Sequence, residues 1–419
     1  MKNILISAYT CCPNRGSEPG NGWNWIINYN DNNYKPFVLT SGMFKTEIEN
    51  YVSKNKLNIS FLYIDSLFAL KIFKIPFFGD YLHYYIWLFN SRRYIKKMKM
   101  EDWKTYEFAH HVTYGSIRLG TPLYNIPVPV IIGPVGGGIP VHSSLRKYFG
   151  PYYISEWVKE KFSIFLGRIN PAVKKSFRNA NHIFYSNSYL KDFIEKYQPL
   201  SASQAYHVGL SEYFKMTFPS RCLNNGDINI LWTGRMLPRK GLNLAIESFS
   251  RLTKAYSGSK KLKLLIAGTG TMQNNATALV KKYKLEKEII FLGAIPHNVL
   301  VDYYIKSHVF LFPSLKDSCP MQIFEAMATG LPVVTLDHQG MTEQITPNTG
   351  IKVRVGDDVD YAGELSNAML HIISNDDVFD LYSRSAFEHG QKQIWSRRIR
   401  EFINNDLGGM INNKIPHSR

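Results

Sequence analysis

The stretch VFLFPSLKDSCPMQIFE, residues 309–325, passes from an apolar run through a polar loop into the opening of a helix. Val309–Phe312 reads as a buried strand, and the helix is expected from near Met321 through Ala328, stopped by Gly330-Leu331-Pro332. Asp317 then falls in the loop and Glu325 one turn inside the helix, with the backbone amides of residues 319–322 pointing at whatever lies between them. A helix start of this kind favours an anion. Its amides suit phosphate oxygens, while the two carboxylates suit hydroxyls, which donate to them. The turn Ser318, Cys319, Pro320, Met321 and Gln322 is the expected anion cradle.

Working outward, short β-rich runs alternate with amphipathic stretches in both halves. Ile4–Ser7, Phe37–Thr40, Ile59–Ile64, Phe108–His111, Val128–Ile132 and Ile183–Ser186 make a first set. Ile228–Thr233, Leu262–Ala267, Ile289–Leu292, Val309–Phe312 and Pro332–Thr335 make a second, each spaced for one crossover helix. The pattern predicts an α/β protein with two doubly wound, Rossmann-like parallel-sheet domains, residues 1–215 and 228–390, facing across a cleft. Ser211–Asp227, with Pro219, Asn224, Asn225 and Gly226, is expected to link them.

Composition agrees with two domains and narrows the partners. The chain has 419 residues, 45% hydrophobic and 20% charged, with 50 Lys and Arg against 33 Asp and Glu. The resulting +17 argues for anionic partners and against an acidic disordered tail. The excess sits in the first half. Cys11, Cys12, Cys222 and Cys319 fit neither a disulfide framework nor a zinc site, so a reducing, cytoplasmic setting is expected. Ile4–Tyr9 is too short and wrongly followed for an export signal. The uncharged window Leu119–Leu145 carries Pro122, Pro127, Pro129, Pro134 and Pro140, which bars a spanning helix.

Phe73–Met100 stands apart: Phe77, Phe78, Tyr81, Tyr84, Tyr85, Trp87, Leu88 and Phe89 precede Arg92, Arg93, Lys96, Lys97 and Lys99. Two readings stay open, a helix lying in a lipid interface and a core helix with a solvated basic end. Stacking on single-stranded nucleic acid is disfavoured, because no nucleic-acid motif accompanies the segment.

Further motifs accompany the Asp317–Glu325 pair. The segment Trp232–Gly241 holds Gly234, Arg235 and Lys240-Gly241; Ala267–Gly270 carries strand-end glycines; Gly330–Val334 is followed by Gly340 and Glu343. In this order they resemble glycosyltransferase family 4, retaining enzymes of GT-B fold, over residues 228–355. The resemblance implies that Gly234, Arg235 and Lys240 hold the diphosphate of a nucleotide-sugar, Glu325 its ribose hydroxyls and Asp317 a hydroxyl of the transferred sugar. Asp317 stands where the family pattern has Glu, one methylene shorter. It further implies that residues 391–419 form a helix crossing back to the first domain, and that base contacts are made by main chain around Gly293–Pro296.

In the first half, Arg15–Trp25 follows the first strand with Gly16, Ser17, Gly20 and Gly22, glycines that let backbone approach a ligand. It is similar to the Gly-rich first loop of bacterial polysaccharide members, which makes Glu18 the candidate to receive an acceptor hydroxyl. His110 and His111 end another strand, and because successive side chains alternate, one is expected to point into the core and the other outward. The resemblance gives one of them a place at the sugar, and the residues do not say which. Gly133–Gly138, with Gly136 and Gly137, closes the next strand. Asp358-Val359-Asp360 matches a metal motif but sits in a polar turn, and Cys319 has no general base within its motif.

Together these imply a retaining glycosyltransferase, without cofactor or metal, moving a sugar from a nucleotide diphosphate sugar to a glycan or lipid-linked glycan in capsule, exopolysaccharide or lipopolysaccharide synthesis. A cytoplasmic protein, peripheral on the inner face of an anionic membrane and binding no nucleic acid, is expected. A GT-B-like nucleotide-sugar epimerase and a non-catalytic partner protein are the alternatives.

Overall fold

A computed structural model describes residues 1–64, 79–137, 141–206, 208–219, 221–223 and 226–412, and statements of number or absence below concern those residues. The chain divides into two compact units. The first comprises Met1–Gly138, Glu160–Val208 and Trp395–Arg419; the second comprises Ile139–Lys159 and Gly209–Ile394.

The first unit holds strands β1 (Lys2–Ala8), β2 (Tyr34–Thr40), β3 (Ser60–Tyr63), β4 (Tyr106–Thr113), β5 (Val130–Val135), β6 (His182–Tyr185) and β7 (Ala202–Gln204). They form one parallel sheet in the order β3-β2-β1-β4-β5-β6-β7. The second holds β8 (Ile228–Thr233), β9 (Leu262–Ala267), β10 (Ile289–Gly293), β11 (Val309–Phe312), β12 (Val333–Asp337) and β13 (Gly350–Arg354). Their order is β10-β9-β8-β11-β12-β13, again parallel. In each sheet the winding reverses once, between β1 and β4 and between β8 and β11. At such a switch point the loops leaving the strands part and open a crevice.

The central strands are largely apolar along their length because helices cover both faces. Ile230, Leu231 and Trp232 of β8 and all four residues of β11 are fully buried. Phe310 and Phe312 lie on the same face of β11, their rings stacked with centroids 5.6 Å apart.

The domain limits differ from the sequence expectation. Ser211–Asp227, expected as a linker, groups with the second unit. Phe214 and Leu223 are buried in it, and Arg221 donates to the carbonyls of Ser307, at 3.0 Å, and Thr329. Asn224 and Asn225 lie outside the described residues. Residues 139–159 also leave the first unit for the second, where the Ser144 hydroxyl pairs with that of Tyr361 at 2.5 Å and the Tyr148 ring meets the Tyr361 ring edge-on. The last segment of the first unit begins at Trp395, inside the expected span 391–419. Helices Trp395–Glu401 and Gly408–Asn412 flank a π-helical turn, Phe402–Leu407.

Gly79–Lys97 is a helix with a mixed surface. Tyr84, Trp87, Leu88 and Ile95 join the core of the first unit, whereas Leu82, Tyr85 and Phe89 are exposed. Each of the two readings of this segment fits one of its sides; Phe77 and Phe78 lie outside the described residues.

Candidate functional site

In the second unit the switch point assembles the residues expected from sequence. β11 delivers Asp317 through the loop Pro313–Pro320, and β8 delivers Lys240 through the turn Gly234–Gly241. The Lys240 ammonium, 5% exposed, donates to Oδ2 of Asp317 and sits 5.1 Å over the Phe312 ring. Arg239 lies 3.7 Å from the same carboxylate oxygen and donates to the Lys316 carbonyl at 3.2 Å. Burial pulls the Lys240 pKa down, Asp317 opposes that, and the charges of Arg239 and Arg235 lower it further. Arg235 itself is exposed. Lys240 and Arg239 thus share one carboxylate while the charge of Arg235 also acts on Lys240, leaving net positive charge where an anion can enter.

The loop carrying Asp317 is clamped. Its amide donates to Oε1 of Gln339 at 2.8 Å, and its carbonyl accepts from the Gly340 amide at 3.1 Å. Gln339 is left-handed, with φ 54°, and a Cβ on Gly340 would lie 2.1 Å from the Ser318 carbonyl oxygen. The latter approach is the physical need behind the glycine that sequence singled out. His338 donates to the Leu315 carbonyl at 3.0 Å and is pushed down to about 4 by burial, so it stays neutral.

Helix Met321–Ala328 starts at Pro320 with no side-chain cap. Of the turn 318–322, Pro320 has no amide to offer, and its carbonyl is taken by the Gln344 side chain at 3.1 Å. The first-turn amides of Met321 and Gln322 remain uncapped by side chains, giving the partial positive charge that suits a phosphate.

Glu325, 3% exposed, accepts from His297 Nε2 on Oε1 and from the Tyr304 hydroxyl on Oε2, each at 2.9 Å. Tyr304 lies 3.0 Å from the Thr233 hydroxyl, which ties the carboxylate to the end of β8. The bond to Glu325 raises the His297 pKa. Sequence reading missed His297, Tyr304, Arg239 and Gln339. His297 directly follows the Gly293–Pro296 turn already marked for main-chain contacts, and that adjacency was the available signal.

Gly234 (φ 147°), Gly268 (φ 137°) and Gly270 (φ 156°) line the same strand ends. A Cβ on Gly268 would stand 1.9 Å from the Gly234 carbonyl oxygen, so two backbones pass here with no room for a side chain.

In the first unit the loop after β1 folds back on itself. Cys12 donates to the Pro19 carbonyl at 2.9 Å, Ser17 is left-handed with φ 59°, and a Cβ on Gly20 would meet the Arg15 carbonyl oxygen at 1.9 Å. Gly16 has open space around it. Glu18, half-buried at the start of helix Ser17–Asp31, accepts from the Tyr114 amide, and desolvation pushes its carboxyl up to about 7. Gly136 pairs with Gly115 at 2.8 Å; Gly137 has φ 91° and open space; Gly138 lies outside the described residues.

The two histidines take opposite faces of β4, yet both are buried. His110 accepts from Tyr29 at 2.9 Å and donates through Nε2 to the Gly133 carbonyl at 3.0 Å. His111 meets the Ser7 hydroxyl at 2.9 Å and the backbone of Tyr114. Burial pushes them down to about 3 and about 4. The expectation that one of them faces outward is corrected: both are buried neutral groups, bonded to neighbouring strands and, for His110, to Tyr29 of helix Ser17–Asp31, because both faces of the sheet are covered here. Asp358 of the D-x-D match pairs with Arg354 at 2.8 Å in an exposed turn. Among the described residues no cluster of His, Cys, Asp and Glu could hold a metal ion, and no helix is long and apolar enough to cross a membrane.

Comparison with known proteins places this geometry. Residues 217–389 match the family described as glycosyl transferases group 1. The amylovoran biosynthesis glycosyltransferase AmsK of Erwinia amylovora is 32% identical over 127 residues, 29% of this chain and 30% of that protein. The chain thus matches under a third of the length of such curated relatives. Across 98% of this chain and all of theirs, the fold is similar to sucrose-phosphate synthase of Thermosynechococcus elongatus (TM-score 0.62, 14% identity) and to Anabaena Alr3699/HepE in complex with UDP (0.60, 13%). Over residues 217–389 the chain is therefore similar to group 1 glycosyltransferases, and its two parallel-sheet units have the GT-B fold.

Proposed function

We propose that the protein transfers a sugar from a nucleotide diphosphate sugar to a hydroxyl of a glycan acceptor carried on a lipid, in the building of a surface polysaccharide, with retention at the anomeric carbon and without a metal. One observation carries this reading: Lys240 and Arg239 meet on the carboxylate of Asp317, with the charge of Arg235 felt at Lys240, on the loop that leads into the uncapped helix start at Met321. A departing nucleoside diphosphate gains negative charge as its bond to the sugar breaks. Fixed cations and helix amides in a desolvated pocket stabilise that charge with no reorganisation. HepE, of the same fold, was crystallised with UDP, and AmsK is named for polysaccharide synthesis, which supports the class of donor and of product.

Glu325 is the candidate for the ribose hydroxyls, which would compete with His297 and Tyr304 for its oxygens. Asp317 is the candidate for a sugar hydroxyl and Glu18 for the acceptor. In the proposed step the C1–oxygen bond to the diphosphate breaks, the acceptor oxygen bonds to C1 on the same face, and its proton passes to the leaving phosphate oxygen. Neither carboxylate is needed as a covalent nucleophile. The test is incubation with a panel of nucleotide-sugars, with and without bacterial lipid extract, followed by nucleotide release and the product's anomeric configuration. Lipid-dependent release with a retained product is expected. Conversion of donor alone, an inverted product or no release from any donor overturns the reading.

A further inference from the structure

Helix Tyr152–Ile169 is oriented against the usual rule. Its buried side holds Glu160, Ser163 and Gly167, and a Cβ on Gly167 would lie 2.4 Å from the Ile117 carbonyl oxygen. The opposite side carries Ile154, Val158, Phe162, Phe165 and Ile169, each 52–59% exposed. Their spacing of three and four residues sets them in one continuous stripe. Lys161 and Arg168 run along one edge of the stripe and Lys159 lies beyond the other, all exposed. Glu156 and Glu160 are the sole carboxylates from Val141 to Ala180. Glu156 is held by Lys316 at 2.8 Å and Glu160 is buried, so neither opposes the basic rims.

We infer that this outward face docks the protein on an anionic lipid bilayer, the Ile154–Ile169 stripe entering the acyl boundary and the basic rims meeting lipid phosphates. An apolar stripe bordered by Lys and Arg is the charge pattern of a helix lying in an anionic interface. A soluble protein surface would seldom leave so long an apolar stripe uncovered. The inference rests on the reading that the acceptor is carried on a lipid, and it places the protein's contact with that membrane on a helix other than Gly79–Lys97.

Trp157, on the border of the stripe and 43% exposed, reports on this face, since the other six tryptophans are at most 5% exposed. The experiment is flotation of the full chain with phosphatidylglycerol vesicles, alongside tryptophan quenching by doxyl-labelled lipid. Wild type is expected to float at low salt, to detach at high salt, and to be quenched, with the signal lost in Trp157→Phe. Phe162→Glu/Phe165→Glu should cut vesicle binding at least tenfold while its melting curve stays two-state. Lys161→Glu/Arg168→Glu, which leaves the stripe intact, should remove the salt-sensitive part and carries the test if the first variant misfolds. Variants that float as well as wild type overturn this helix as the docking face and leave the lipid-acceptor reading standing. Wild type that stays off vesicles yet transfers sugar to a water-soluble acceptor overturns both. Trp157 shielded from iodide in lipid-free protein, with a sedimentation coefficient rising with concentration, assigns the stripe to a second copy and overturns the inference.

Discussion

Nε2 of His297 donates to Oε1 of Glu325 at 2.9 Å, and this bond holds one oxygen of a carboxylate whose other oxygen is held by Tyr304. A buried carboxylate with both oxygens fixed is pre-set for one geometry. Glu325→Ala should therefore lower kcat/KM by about a hundredfold or more, in steady-state transfer with excess acceptor. His297→Ala frees one oxygen and should change mainly KM, by a few-fold. Equal losses in the two variants would remove Glu325 from its place on the donor.

Lys240 and Asp317 are coupled in stability. Lys240→Met strips a partly buried carboxylate of its closest cation, leaving only Arg239 at 3.7 Å, and should cost about 2 kcal/mol in urea unfolding. Adding Asp317→Asn removes the stranded charge, so the double variant should be more stable than the sum of the single losses by at least about 1 kcal/mol. Strict additivity would show that the pair does not interact.

Gly268 and Gly293 both have positive φ, 137° and 71°, but their surroundings differ. At Gly293 a Cβ meets nothing within 4 Å, so Gly293→Ala should cost only about 1 kcal/mol for the backbone conformation. At Gly268 the added carbon collides with the Gly234 carbonyl, and Gly268→Ala should cost about 3 kcal/mol or more and reduce donor binding. Thermal unfolding together with UDP titration checks both.

Stability should fall as pH drops from about 6.5 toward 4. His110, His111, His182, His308 and His338 are held neutral, pushed by burial to about 3 or about 4, so the unfolded chain binds their protons first. Glu18 acts in the other direction. Its carboxyl, raised to about 7, favours the folded state while protonated, and that contribution is lost as pH rises from its ordinary 4.5 through 7. Glu18→Gln should therefore gain more stability than wild type between pH 4.5 and 7, read as Tm against pH. A parallel pair of curves would place Glu18 in water.

Much of this molecule could be read from its residues because a parallel sheet buried on both faces demands unbroken apolar runs. Ile228–Thr233 and Leu262–Ala267 appear as strands with those limits. Asp317 and Lys240 meet, and Glu325 lies on the helix that follows the same loop, because strand ends at a switch point leave few other places for polar groups. Edge strands were harder: Ala202–Gln204 is three residues long, two of them polar, and Gly350–Arg354 holds only two large apolar residues, Ile351 and Val353, too few to form an apolar run. His297 and Tyr304 were missed because their role depends on how a helix rotates, which a lone sequence leaves open. Helix Tyr152–Ile169 defeats pattern reading outright, since it buries its small and polar side.

Neither unit is a contiguous piece of chain. Trp25, in the first helix, packs its indole 5.9 Å from Trp395 and 5.7 Å from Phe402, centroid to centroid. Arg398 meanwhile donates to the carbonyls of Tyr206, at 2.7 Å, and Val208. A nascent polypeptide thus makes the whole second unit before the segment that covers Trp25 exists, so the first unit's core waits, half covered, while the other unit is synthesised.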